Sequence, residues 1–87
     1  MRTESELHEP PAFETGTKVR ALKAIRNDGT YPGVPIGGYL IDDGEIGYVK
    51  SIGTYLNRFY VYGIDFVRPG ILVGMRAHEL ECLEPPP

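Results

Sequence analysis

Few side chains in this sequence are spaced for chemistry. Asp42, Asp43 and Glu45 form its one dense carboxylate group, the ligand type that hard cations prefer. However, Asp43-Gly44 is also a strong signal for a tight turn between strands. Strand neighbours point to opposite faces, so turn chemistry accounts for the group better than a metal does. His8 and His78 lack a neighbouring Cys or His at ligand spacing. His78 and Cys82 would share a face only on a continuous helix, and two ligands would leave a zinc site incomplete. Ser5, Ser51 and Cys82 sit in no nucleophile motif. "GVPIGG" lacks the lysine and the following helix of a phosphate loop. With no nucleophile, acid–base pair or metal set, the expectation is a protein that is not an enzyme.

Binding is better represented. Lys18, Arg20, Lys23 and Arg26 form the one basic cluster. It suits an acidic protein surface, a nucleic acid, or plain solvation. The acidic ends of the chain and its pI of about 5.3 weigh against nucleic acid. Directly after the cluster comes "RNDGTYPGVPIGG", Arg26 to Gly38, with four glycines and two prolines in thirteen residues. Asn27-Asp28-Gly29 is a turn signal, and Pro32 and Pro35 each remove a ladder donor. Tyr31 is the aromatic residue best placed there to anchor a partner. The alternative is that Tyr31 folds back and covers the core.

These residues need a scaffold, and the chain allows only a small one. Its 87 residues make one domain with a modest core. One cysteine cannot form an internal disulfide. No apolar run is long enough to cross a bilayer. The polar start, "MRTESELHEPP", has no signal-peptide core, so the expected location is the cytoplasm. The acidity lies toward the ends, for residues 16–80 hold eight Lys/Arg against six Asp/Glu.

Residues 1–15 show no period and read as a flexible arm, and residues 84–87 as a proline tail. Between them, residues 16–83 carry strand signals. Thr17 to Ile25 alternates until Leu22, which predicts a bend near Lys23. Tyr39-Leu40-Ile41 and Glu45 to Ile52 predict a hairpin about Asp43-Gly44. Gly47 predicts a bulge or a close backbone approach. "FYVYGIDFV" has two apolar faces and should be central. "ILVGM" follows, then one helical turn in "RAHEL" and a closing strand in "ECL". The expected fold is all-β: a small SH3-like barrel of about five short strands, with a long loop after the first and a short helical turn near the C-terminus.

The basic first strand, the "RNDGTYPG" loop, the G-x-x-G-x-V pattern of "GEIGYV" and the Y-x-x-x-F strand together resemble the NifZ family of nitrogen-fixation proteins. The likeness runs from about Phe13 to Leu80. It implies an accessory, chaperone-like binding module without a cofactor. The implied partner is the nitrogenase molybdenum–iron protein or its immature form, during P-cluster assembly, with other nitrogen-fixation assembly proteins as further candidates. Arg20, Arg26, Asn27, Asp28 and Tyr31 are the expected contact residues, and no membrane is involved. A small nucleic-acid-binding barrel and a regulatory subunit of a metalloenzyme are the alternatives.

Overall fold

A computed structural model describes residues 6–84. Ser5 and the prolines of the expected tail lie outside the described residues. The strands are β1 (Lys18–Ala21), β2 (Ile25–Arg26), β3 (Tyr39–Ile41), β4 (Ile46–Tyr55), β5 (Phe59–Phe66), β6 (Ile71–Met75) and β7 (Leu80–Cys82). Two 3-10 turns, Glu6–His8 and Ala77–Glu79, complete the elements. The protein is therefore all-β, as its strand signals indicate. The predicted bend divides the first strand signal into β1 and β2, and Ala77–Glu79 is the expected helical turn.

Five strands form one antiparallel sheet in the order β6-β5-β4-β1-β7, and β2 pairs with β3 in a second. No ladder joins β6 to β7, so among the described residues the sheet is open and the expected barrel is not closed by hydrogen bonds. The predicted hairpin of Tyr39–Ile41 with Glu45–Ile52 does not form. Ile41 instead opposes Ile25, while β4 pairs with β1 and β5. The turn itself explains the difference. Gly44 N–H donates to the Ala21 carbonyl (2.8 Å) and Ala21 N–H to the Glu45 carbonyl (2.9 Å). With the turn tied to the end of β1, the chain leaves it in a new direction and β3 and β4 diverge.

Alternation on β5 builds the core. Tyr62, Ile64 and Phe66 are fully buried and pack with Val19, Ala21, Ile41, Val49, Val73, Met75 and Leu80. Burying one such large side chain contributes about 1.5–3 kcal/mol. A Cβ on Gly47 would stand 2.6 Å from Ile64 Cγ2 and 2.8 Å from the Asp65 carbonyl oxygen. Only glycine lets β4 cross β5 that closely. The register shift falls slightly later, between Val49 and Ser51.

From Glu6 onward, the segment expected to be a flexible arm lies along β5. Glu6 N–H donates to the Arg58 carbonyl (3.0 Å), and Tyr60 N–H donates to Glu6 Oε2 (2.9 Å). Ala12 N–H donates to the Tyr62 hydroxyl (2.8 Å). The ring of Phe13 meets that of Tyr62 edge-on at 5.2 Å.

Candidate partner-binding surface

The long loop after β2 has a closed base. Arg26 opposes Tyr39 in the ladder. Asn27 N–H then donates to the Gly38 carbonyl and Gly37 N–H to the Asn27 carbonyl, both at 2.7 Å. Inside the loop, the Asn27 side chain is 2% exposed. Its Nδ2 donates to the carbonyls of Tyr31 (2.9 Å) and Val34 (2.7 Å). Its Oδ1 accepts from the amides of Gly29 (3.1 Å) and Tyr31 (3.0 Å). The amide group thus uses its full hydrogen-bonding capacity, two donors and two acceptor sites. Gly29, Gly33 and Gly37 all have positive φ, so they supply the bends that this path around Asn27 needs.

The expected contact residues divide into three kinds. Asn27 faces inward and shapes the surface. Asp28 is exposed, and its Oδ1 accepts from Thr30 Oγ1 (2.8 Å) and Thr30 N–H (3.2 Å). Those bonds to Thr30, the hydroxyl's first, hold the Asp28 carboxyl below its ordinary pKa. Tyr31 is half-buried, between the two alternatives that its sequence position left open. Arg26 lies over the ring of Tyr39, 4.7 Å from its centroid, and Nη2 donates to the Tyr39 hydroxyl (2.8 Å). Arg20 is exposed on β1 and pairs with Glu81 (3.2 Å).

Two apolar residues were missed by the sequence reading. Ile36 is 79% exposed, and its side chain lies 3.5 Å from where a Gly29 Cβ would be. Its place between Pro35 and Gly37 was the available signal. Leu56, 72% exposed, tops the β4–β5 hairpin with φ of 54°.

Elsewhere the charges are partly spent within the fold. Lys23 pairs with Glu79 (3.3 Å), so β7 and the turn before it neutralise much of the basic first strand. Glu45 accepts from Arg68 Nε (3.2 Å) and Nη2 (3.3 Å). Among the described residues, no three His, Cys, Asp or Glu side chains gather as a metal would require. His78 and Cys82 are exposed, and Cys82 Sγ donates to the Glu84 carbonyl (3.1 Å). No helix among the described residues is long and apolar enough to cross a membrane.

Residues 10–82 match the family model described as the NifZ domain. A NifZ-named protein of Sinorhizobium fredii is 48% identical over 80 residues, covering 92% of this chain and 74% of the relative. One from Rhodobacter capsulatus is 44% identical over 72 residues, covering 83% and 92%. Protein NifZ of Azotobacter vinelandii is 43% identical over 70 residues, covering 80% of this chain and 44% of its own length. No solved structure matches the chain.

Proposed function

The chain belongs to the NifZ family, and from that premise we propose that it is a nitrogen-fixation accessory protein that docks on the immature nitrogenase molybdenum–iron protein. It would act in the cytoplasm as a non-catalytic, chaperone-like module during P-cluster assembly, alone or with other assembly proteins. The observation that carries this reading is the loop of residues 27–38. It is organised from within by Asn27, it presents Ile36, 79% exposed, and the stacked Arg26 and Tyr39 flank its base. A surface built in advance binds without a large ordering cost. An arginine stacked on a tyrosine ring matches the make-up of interface anchors.

Affinity capture from nitrogen-fixing cells tests the proposal. The wild-type protein should retain the immature molybdenum–iron protein, and Ile36→Asp should lose most of it while staying folded. If nothing of the nitrogenase co-purifies, and deleting the gene leaves nitrogenase activity intact, the proposal fails.

A further inference from the structure

We propose that the face of β5 beneath residues 6–13 is a binding groove for an extended, acidic, proline-containing segment of a partner protein. In the described structure, residues 6–13 occupy that groove as an internal ligand. This inference stands apart from the loop and would survive the loop's failure as a docking surface.

The way the strap is fastened is the first ground. A strand would be joined to β5 by a ladder, but here side chains do most of the work. The Tyr60 hydroxyl donates to the Glu9 carbonyl (2.6 Å) and the Tyr62 hydroxyl accepts from Ala12 N–H (2.8 Å). Between those two points lie Pro10 and Pro11, which have no N–H to leave unpaired and hold the chain extended. Tyrosine hydroxyls that take the backbone on either side of two prolines recognise an extended proline segment by its shape. His8 to Ala12 remain exposed, and an open cavity of about 460 Å³ persists between strap and sheet. The strap's middle is thus solvent-exposed, and its attachment rests on its two ends, Glu6 and Phe13, and on the two tyrosine hydroxyls.

The anion position is the second ground. Arg76 lies over the Phe59 ring at 3.7 Å and donates from Nη2 to Glu6 Oε1 (3.1 Å). Its Nε is buried with no hydrogen-bond partner. Arg68 shows what the same group does when satisfied, for its Nε and Nη2 grip Glu45 together. Glu6 does not match that: its Oε1 takes Nη2 alone, and its Oε2 is turned to Tyr60 N–H. Half of the Arg76 fork is therefore idle while the strap is in place. A ligand carboxylate that took both nitrogens would pair an orphaned donor, a gain that the strap forgoes. The ligand class follows: a carboxylate at Arg76, then prolines between the Tyr60 and Tyr62 hydroxyls.

The probe is a labelled peptide with the strap's own sequence, ELHEPPAF, added to the full-length protein. Glu6→Gln with Phe13→Ala should loosen the strap and leave the sheet intact by circular dichroism. That variant should bind the peptide at least about tenfold more tightly than wild type does, because the open groove is a larger fraction of the population. Adding Tyr60→Phe should reverse most of the gain. A folded variant that does not bind the peptide overturns the proposal. If the variant does not fold, wild-type protein with millimolar peptide decides the matter by nuclear magnetic resonance. Shifts confined to Tyr60, Tyr62 and Arg76 support the groove, and unchanged signals there refute it.

Discussion

The loop of residues 27–38 and the strap of residues 6–13 are both irregular and both rich in proline, yet they are held in opposite ways. The loop is organised from inside, around one buried asparagine that bonds four of its backbone groups. The strap is organised from outside, by Tyr60, Tyr62 and Arg76 of the elements beneath it. A segment built from inside keeps its shape when a partner approaches. One built from outside keeps its shape only while its support is available, so it can be exchanged.

Removing the loop's centre should have the largest effect. Asn27→Ala deletes four hydrogen bonds and leaves part-buried backbone groups unpaired, at a cost of about 4 kcal/mol at roughly 1 kcal/mol per bond. Urea unfolding measures the loss. Hydrogen exchange should speed up across residues 27–38 and leave the Tyr60 amide unchanged. Acceleration at both places would break the distinction between inside and outside support.

The hairpin tip supplies a smaller effect of opposite sign. The loop has glycines at its positive-φ positions, whereas the tip has Leu56 and Asn57, with φ of 54° and 53°. Leu56→Gly removes the left-handed strain of a side chain that is 72% exposed. It should raise stability by about 0.5–1 kcal/mol, since glycine adopts that conformation at little cost. Thermal unfolding checks this, and a loss of stability would mean that Leu56 packs in a way its exposure does not suggest.

Acid should loosen the strap, and this effect is the gentlest. The hydrogen bond from Tyr60 N–H, followed by Arg76, holds the Glu6 carboxyl below its ordinary pKa. A depressed carboxylate stabilises the folded form above its unfolded pKa, and that support is lost as pH falls through the folded value. Protection of the Tyr60 amide should therefore persist down to the ordinary glutamate range and fade below it. The Gly29 and Tyr31 amides, which bond the Asn27 side chain that does not titrate, should hold through the same interval, whereas the Thr30 amide, held by the Asp28 carboxylate, should not.

Local patterning was readable without the fold. Alternation in "KVRA" and "FYVYGIDF" marks β1 and β5, because a strand with a buried face repeats every two residues. Gly47 signals the close crossing, and "RNDGTYPG" signals both a long loop and the NifZ family. What only the tertiary structure decided are the choices between distant segments. Ile41 pairs with Ile25 and not across the Asp43-Gly44 turn, since the turn bonds to β1. Arg20 finds Glu81, and Arg76 finds Glu6 seventy residues away. The strap reads as a loose arm because its anchors, Tyr60 and Tyr62, lie about fifty residues further on. Periodicity reports which face of an element is buried. It carries no record of which element covers that face, because that depends on the path of the whole chain.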